Sequence, residues 1–338
     1  FFLLNAQSGE ENILNNRFLW DYYGSGDKIP RHIYLNVLPE NSKELMELFS
    51  ETIGHKVDFL VPQRGDKKRL LNLVEKNAQL VLRQHLENSQ YQEEKAALAL
   101  EDLRRRLDLP KTPIRIECYD ISHIQGSNTV GSMVVFSNGL ADKRLYRHFK
   151  IKTVQGINDF ASLQEVLRRR LQRGLDERAA AKEKLDFGIF PDLFLIDGGK
   201  GQLSAVGEVL SALGFGHIPV ISLAEREEEV FIPQRSLPLD FPLDSDASKL
   251  LRRIRDEAHR FAITYHRNLR SKSQVTSFLD AAPGIGKARR QNLLQTFGSL
   301  EQIKKASLEE LSQAPAMNKK VAGELYAFLH PHNQKEDI

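Results

Sequence analysis

The sequence has almost no cysteine and no long hydrophobic run, and each absence excludes a class of protein. Its 338 residues include a single cysteine, Cys118, which excludes intramolecular disulfides and zinc sites built from several cysteines. No apolar stretch approaches the roughly 18 consecutive residues of a membrane-spanning helix. The apolar opening Phe1–Leu4 is too short for a signal-peptide core and has no basic flank. We therefore expect a cytoplasmic protein, and a first residue other than Met leaves open that the chain is a fragment of a longer one.

Charge is nearly balanced over the whole chain but is concentrated in one segment. The formal net charge is +3, and a content of 41% hydrophobic and 28% charged residues is typical of a folded protein. Residues 251–272, by contrast, hold seven lysines and arginines against two acids. A basic cluster of this kind attracts nucleic-acid phosphates. Charge alone is equally typical of a solvated helix face.

The first 108 residues predict a small α/β region without a catalytic pattern. Apolar runs at Ile33–Leu38 and Val57–Val61 indicate two strands, with helical spacing between them. A charged stretch with few Gly or Pro residues then predicts one long helix from Lys67 to Leu107. We expect residues 1–108 to form an N-terminal scaffold segment that leads into the next domain.

Residues 109–272 predict a mixed sheet flanked by helices. Three strands come first, at 114–121, 130–136 and 145–151, and are followed by a helix at 159–171. A strand at 192–197, a helix to 213, strands at 218–223 and 230–232 and a late helix at 247–269 complete the domain. This order is that of the RNase H fold, an α/β class with helices on both faces of the sheet.

Residues 278–330 predict a short all-helical domain, joined by a linker near residues 271–277. Pro283, Gly284, Ile285 and Gly286 form a hairpin between two helical segments, and its glycines let backbone N–H groups approach a phosphate. Basic side chains follow at Lys287, Arg289 and Arg290. This hairpin is therefore predicted to bind DNA.

A second hairpin is expected after Leu311, but its sequence departs from the first. Residues 314–320 contain no glycine, so we expect this copy to pack instead of binding. The pairs Ser299 with Gln302 and Ser307 with Glu310 have the spacing of capping boxes and predict the starts of two helices.

Two acids, Asp120 and Asp197, each close an apolar strand. The carboxyl ends of such strands face the crevice where α/β sheets bind ligands. If the first and fourth strands are neighbours, both carboxylates point to one place and can hold Mg²⁺ or Mn²⁺. Two such ions ~4 Å apart can hydrolyse a phosphodiester. For either acid alone, a turn or cap role is the simpler interpretation.

A third ligand is needed, and the late helix offers candidates. His259 lies in the segment Arg255-Asp256-Glu257-Ala258-His259-Arg260, where Arg255 is placed to meet a phosphate. A histidine on a charged helix is more often simply solvated, and Asp256 or Glu257 could serve instead. The combination of two acids and one histidine in this fold order favours a site.

The segment Gly198-Gly199-Lys200-Gly201 joins a strand to a helix. It is consistent with a phosphate cradle at a helix N-terminus, in which Lys200 would also contact DNA. It lacks the full spacing of a nucleotide-binding P-loop. A tight turn that needs positive φ is the alternative, and the two interpretations are compatible.

Three motifs together resemble the UvrC family, whose members make the incisions of bacterial nucleotide excision repair. The resemblance covers about residues 17–330 and the C-terminal half of that family. Its motifs are Glu117–His123 with Gln125–Gly126, Leu195–Gln202, and Ile254–Ala262 with Tyr265–Arg267.

The resemblance implies a DNA endonuclease that cuts 5′ to a lesion. It implies an RNase H-like domain whose metal site is Asp120, Asp197 and His259, followed by a paired helix-hairpin-helix domain. Asp159 falls where the family has a further functionally implicated acid, although it is equally placed to cap its helix. The implied partners are damaged double-stranded DNA and a UvrB–DNA complex.

Two parts of the family are not recognisable in this sequence. They are the nuclease that cuts 3′ to the lesion and the helical hairpin that binds UvrB, so recruitment through that hairpin stays open. Two other functions also stay open: a non-catalytic DNA-binding or assembly module, and an RNase H-like nuclease acting on RNA–DNA hybrids.

Overall fold

The structure is a computed structural model that describes residues 11–24, 28–124, 128–181, 185–224 and 228–330. The chain divides into two compact units, Phe1–Gln92 and Glu93–Ile338. No helix in the described part of the chain has both the length and the apolar character needed to cross a membrane.

The first unit is built on a two-stranded parallel sheet. Its elements are α1 (Glu11–Tyr23), β1 (His32–Tyr34), α2 (Ser42–Ile53), β2 (Asp58–Leu60) and the first part of α3 (Asp66–Arg106). Strands β1 and β2 pair in parallel over three residues each. Their side chains enclose a small core with α1 and α2, made of Leu19, Ile29, Ile33, Phe49, Val57 and Phe59. The long helix predicted from the sequence is confirmed to within one residue at each end.

The second unit contains a seven-stranded mixed sheet. Its strands are β3 (Arg115–Ile124), β4 (Asn128–Ser137), β5 (Leu140–Ala141), β6 (Arg147–Lys150), β7 (Leu193–Asp197), β8 (Val220–Ala224) and β9 (Glu229–Phe231). Their order is β5-β4-β3-β7-β8-β9, with β6 also paired to β4. Strands β3, β7 and β8 are parallel neighbours, and the pairs β3–β4 and β8–β9 are antiparallel. The β4–β5 turn uses Asn138 and Gly139, which both have positive φ, as tight hairpins favour.

Helices cover both faces of this sheet because its central strands are apolar on both sides. Helices α4 (Asp159–Ala179) and α5 (Lys200–Ala212) pack on one face, against Tyr119, Phe194 and Ile196. Helix α6 (Asp246–Asp280) and the end of α3 pack on the other, against Ile116, Cys118 and Leu195. Alternate residues of each strand thus enter two separate cores. The RNase H-like fold predicted from the sequence is confirmed.

Two predicted boundaries in this sheet are wrong. Strand β3 continues for four residues beyond Asp120, because its backbone ladder with β4 extends to the pair Ile124 and Asn128. Asp120 therefore lies inside the strand, and Asp197 alone is a strand's last residue. The third predicted strand begins later, since Lys143–Leu145 form a short 3₁₀ turn before β6.

The C-terminal helices form their own core. They are α7 (Lys287–Phe297), α8 (Leu300–Lys305), α9 (Leu308–Gln313) and α10 (Lys319–Leu329), packed around Leu293, Ile303, Leu311 and Leu325. The predicted helix starts are confirmed: Ser299 and Ser307 cap α8 and α9. The predicted linker is wrong, because α6 continues through residues 271–277, where no Gly or Pro ends it.

Candidate metal centre and nucleic-acid interface

The register of β3 and β7 brings the two predicted acids together. The strands are parallel neighbours, with Tyr119 opposite Ile196. Asp120 and Asp197 are the next residue on each strand. Side chains alternate along a strand, and both acids share the face of Cys118 and Leu195, which packs against α6. The two carboxylates therefore lie side by side beneath that helix.

Helix α6 supplies the third group. Ala258 is fully buried in the core under this helix, and His259 follows it at the edge of the packed face. The ligand atoms of Asp120, Asp197 and His259 all lie within 4.8 Å of one another. Asp120 is buried, Asp197 is partly exposed and His259 is exposed, so the cluster opens to solvent on the helix side.

The donor set suits a divalent cation. Carboxylate oxygens are the ligands of Mg²⁺ and Mn²⁺, and Mn²⁺ also accepts imidazole nitrogen. Asp120 is 8% exposed, and its Oδ2 accepts a hydrogen bond of 2.6 Å from the Ser122 hydroxyl. That bond orients the carboxylate without neutralising it. Two adjacent acids, one of them buried, are stabilised when a cation binds between them.

The negative charges of Asp120 and Asp197 also affect the pKa of the neighbouring Cys118 thiol. Cys118 is fully buried, and burial, followed by the negative charges of Asp197 and Asp120, raises the pKa of its thiol well above the ordinary value. A thiol in that setting stays protonated and is a poor nucleophile. Cys118 is therefore a packing residue of the core.

Asp256 and Glu257, the two acids just before His259 on α6, have other partners. Asp256 accepts a hydrogen bond of 2.9 Å from Arg255. Glu257 is bound by Arg260 and by the Tyr146 hydroxyl, and the Arg260 guanidinium holds the pKa of Glu257 below its usual range. Neither acid joins the three-residue cluster. Geometry therefore favours His259 over both as the third ligand.

A cleft of about 360 Å³ opens beside the cluster along α6. Its lining includes Asp197 and His259 of the cluster, and Asp256, Arg260, Thr264 and Arg267 of α6. Arg255 also lines the cleft, but its guanidinium is bound to Glu228 at 2.5 Å and to Asp256. The cleft thus brings two residues of the cluster and three arginines of α6 to one surface, which suits a phosphate backbone.

The turn after β7 requires glycine at position 198, because a side chain there has no space and the backbone has positive φ. Gly198 has φ +150°, and a Cβ there would lie 1.6 Å from the Gln202 side chain. Gln202 Oε1 in turn accepts a hydrogen bond of 2.9 Å from the Gly199 N–H at the start of α5. The Lys200 ammonium donates to the Ser236 carbonyl and lies 4.9 Å from the centre of the Phe231 ring. The structure thus supports the tight-turn interpretation, and Lys200 is held against its own chain.

Asp159 is not the cap of its helix. The cap is Asn158, whose side chain accepts a hydrogen bond of 3.1 Å from the Ala161 N–H. Asp159, the first residue of α4, accepts a bond of 2.5 Å from His123 Nε2 instead. Sequence reasoning missed His123, because nothing in the local pattern pairs two residues 36 positions apart. Its motif neighbours Gln125 and Gly126 lie outside the described residues.

The two hairpins of the C-terminal domain have the same backbone turn. Gly284 has φ +72°, and Ala316, at the matching place after a proline, has φ +64°. Gly286 precedes α7 as Asn318 precedes α10, both in extended conformation. The second hairpin therefore keeps the shape of the first without its glycines.

Arg289 joins the two hairpins. Its guanidinium donates to the Gly284 carbonyl at 2.7 Å and to the Ala316 carbonyl at 2.9 Å. Arg290 is paired with Asp280 of α6. Lys287 is the first residue of α7, next to the exposed backbone of the first hairpin.

Comparisons with known proteins agree with this arrangement. Residues 104–263 match the model of the UvrC RNAse H endonuclease domain, residues 1–85 that of the UvrC Ribonuclease H-like domain, and residues 276–330 that of the SAM-like helix-hairpin-helix tandem. UvrABC system protein C of Moorella thermoacetica is 44% identical over 100% of the chain, and that of Syntrophomonas wolfei is 44% identical over 98%. The chain belongs to the UvrABC system protein C family.

The chain spans about half the length of these UvrABC system C proteins, covering 54% and 53% of them. The family match to residues 1–85 falls within the first unit, so this unit is part of the family's sequence. Its predicted role as a scaffold stays a prediction. Among solved structures, endonuclease V of Ciona intestinalis in complex with DNA aligns with 46% of this chain and 62% of its own. The two share 21% identity, with a TM-score of 0.26. A likeness at that score carries no structural argument.

Proposed function

We propose that this chain is the part of a UvrABC system C protein that incises DNA 5′ to a lesion during nucleotide excision repair. The observation that carries the proposal is the clustering of Asp120, Asp197 and His259 within 4.8 Å, beside a cleft lined by three arginines of α6. Family membership supports it, because the matching domain model is described as an endonuclease domain.

In this proposal Asp120, Asp197 and His259 hold Mg²⁺ or Mn²⁺. When bound, such an ion neutralises charge on the scissile phosphodiester and activates water for its hydrolysis. The Ser122 hydroxyl keeps Asp120 oriented. Arg267 holds the phosphate backbone along α6, and Arg260, paired with Glu257, and Arg255, braced by Glu228, contribute positive charge at the cleft wall.

The C-terminal domain holds the duplex while the cleft is engaged. The first hairpin, Pro283–Lys287, offers backbone N–H groups to a phosphate. The second has the same turn, so both hairpins present backbone to DNA, fixed side by side by Arg289. Arg289 is held by the hairpin carbonyls and Lys200 by the Ser236 carbonyl, and direct contact of either side chain with DNA stays a prediction.

We further propose three functional segments: the N-terminal segment 1–108, the nuclease 109–272 and the DNA-binding domain 278–330. Because α6 runs unbroken from the nuclease into the last domain, that domain is coupled by a helix. The proposed partners are damaged double-stranded DNA and UvrB bound to it, as the names of the relatives suggest.

A nicking assay tests the proposal. The purified chain is incubated with Mg²⁺ or Mn²⁺ and a lesion-containing duplex, which is either free or bound by UvrB. Asp120→Asn serves as the inactive control. The expected result is a single metal-dependent nick 5′ to the lesion. Preferred cutting of an RNA–DNA hybrid would indicate a different RNase H-like nuclease. Tight DNA binding without any cutting would indicate a non-catalytic module.

A further inference from the structure

The first residues of α4 contact both chain segments that carry the clustered acids. Asp159 Oδ1 accepts a hydrogen bond of 2.5 Å from Nε2 of His123, which lies in β3 three residues after Asp120. The ring of Phe160 lies over Gly201, which follows Asp197 by four residues. A Cβ added at Gly201 would come within 2.7 Å of that ring. Helix α4 thus begins against the continuations of both acid-bearing strands.

Both ring nitrogens of His123 are engaged. Nδ1 lies 3.1 Å from the hydroxyl of Thr129, its partner across the β3–β4 ladder. An ionised carboxylate can only accept, so Nε2 donates to Asp159. With Nε2 bonded to Asp159 and Nδ1 against the Thr129 hydroxyl, both ring nitrogens are occupied by side chains of this chain. His123 is a mechanical link between β3 and α4.

The His123–Asp159 hydrogen bond lies on the face of the sheet opposite the cluster of Asp120, Asp197 and His259. Along β3, Asp120 and Ser122 share the face that packs against α6. Ile121 and His123 share the other face, where Ile121 packs into the core beneath α4. Asp159 therefore approaches β3 from behind, and it is not a member of the cluster of Asp120, Asp197 and His259.

We propose that Asp159 is a positioning residue of the metal site, which fixes the end of β3 through His123 and thereby sets the place of Asp120. This role rests on the proposed metal site. Groups that orient metal ligands change metal affinity by about 10–100-fold when removed. Asp159 acts through one further residue, so its removal weakens metal binding at the lower end of that range.

The experiment measures Mn²⁺ binding to the full chain without DNA, by titration calorimetry, at a temperature where each variant is folded by circular dichroism. Asp159→Ala and His123→Ala should each raise the Kd for Mn²⁺ about tenfold. The double variant should be no worse than either single one, because both remove the same link. Asp159→Asn should bind almost normally, since its amide oxygen still accepts the His123 proton.

Asp176→Ala is the matched control, because Asp176 lies on the same helix and its side chain, among the residues that the structure describes, bonds the exposed Gln172 side chain alone. It should leave the Kd unchanged. An Asp159→Asn variant as impaired as Asp159→Ala would show that the charge of Asp159 itself is needed, and would overturn the role. Losses that multiply in the double variant, or an unchanged Kd in Asp159→Ala, would also overturn it. If the unaltered chain bound no Mn²⁺, the proposed metal site would fall and this role with it.

Discussion

A buried ion pair on the face of the sheet opposite Asp120 offers the sharpest test of how this sheet is held together. Glu117 and Arg170 are both fully buried, and their side chains meet at 2.7 Å between β3 and α4. Arg115 and the Tyr119 hydroxyl bind the same carboxylate, at 2.8 and 2.7 Å. Arg170 also donates to the backbone carbonyls of Phe187 and Ile189, at 2.6 and 2.9 Å. The network therefore ties strand, helix and loop together.

Glu117→Gln should remove the negative charge while keeping the size of the side chain. It leaves the buried guanidinium of Arg170 without a counter-charge, which costs about 3–5 kcal/mol in comparable sites. We expect the lower end, about 3 kcal/mol, because two carbonyls and the new amide oxygen still accept from Arg170. For a domain of this size that loss lowers Tm by about 6–12 °C. Arg170→Met should cost more, since it leaves the carbonyls of Phe187 and Ile189 without their donor and leaves Glu117 with only Arg115 and Tyr119 as partners.

Urea unfolding followed by circular dichroism measures the effect. The matched control is Glu101→Gln on α3, whose pair with Arg104 has the same 2.7 Å separation but is 34% and 44% exposed. That control should change the free energy of unfolding by much less than Glu117→Gln, because water reaches and partly screens the pair. A loss below about 1 kcal/mol for Glu117→Gln, the range of surface pairs, would refute the reasoning that burial makes this pair important. Mn²⁺ binding should survive in the folded variant, since Glu117 faces away from the cluster.

Three further predictions concern the pKa of Glu117, the two hairpins and the clustered acids. Burial alone would raise the pKa of Glu117, but Arg170 outweighs it and the pKa lies below the ordinary value. The contribution of Glu117 to stability is therefore complete above about pH 4.3 and is lost as the pH falls through the lowered pKa. The difference between the unaltered chain and Glu117→Gln in acid titrations should shrink accordingly, and a constant difference would contradict this. In the hairpins, Gly284→Ala should lower the free energy of unfolding by about 1–2 kcal/mol, because a left-handed φ is strained with a Cβ. Ala316→Gly should raise it by about 0.5–1 kcal/mol, and urea unfolding that gives both changes the same sign would contradict the shared turn. Asp120→Asn and Asp197→Asn should each abolish metal-dependent nicking and Mn²⁺ binding, and the double variant should be no worse than either. Residual nicking by both single variants with losses that multiply would indicate separate roles.

Periodicity was enough to predict the order of strands and helices, but it could not supply the contacts between them. Apolar alternation identified the strands that carry Asp120 and Asp197. It could not say that these strands are neighbours in the register that sets Tyr119 against Ile196. That register follows from how whole faces pack against α4, α5 and α6. The sequence offered His259 of the late helix as a candidate third ligand. The packing of Ala258 under α6 brings it to the acids.

Rules tied to one residue type were less reliable than backbone patterns. The absence of glycine led us to expect that the second hairpin packs instead of binding DNA, yet Ala316 adopts the same left-handed conformation as Gly284. The surrounding helices of the C-terminal core impose that turn, and tertiary packing outweighs a local cost of about 1 kcal/mol. Likewise, the Ser- and Gln-containing segment 271–277 suggested a linker, but helical continuity of α6 outweighed its polar composition.

Two acids on β3 show why the sequence alone could not distinguish an acid of a buried ion pair from a candidate metal ligand. Glu117 and Asp120 are three residues apart in an apolar strand and look alike in the sequence. Because three is an odd number, they face opposite sides of the sheet. Behind it, Glu117 is neutralised by the buried guanidinium of Arg170 and by Arg115. In front, Asp120 is bonded by the neutral hydroxyl of Ser122 and lies beside Asp197, another acid. The first carboxylate has its positive charge within the chain, whereas the second, in the proposed metal site, takes it from a cation in solution.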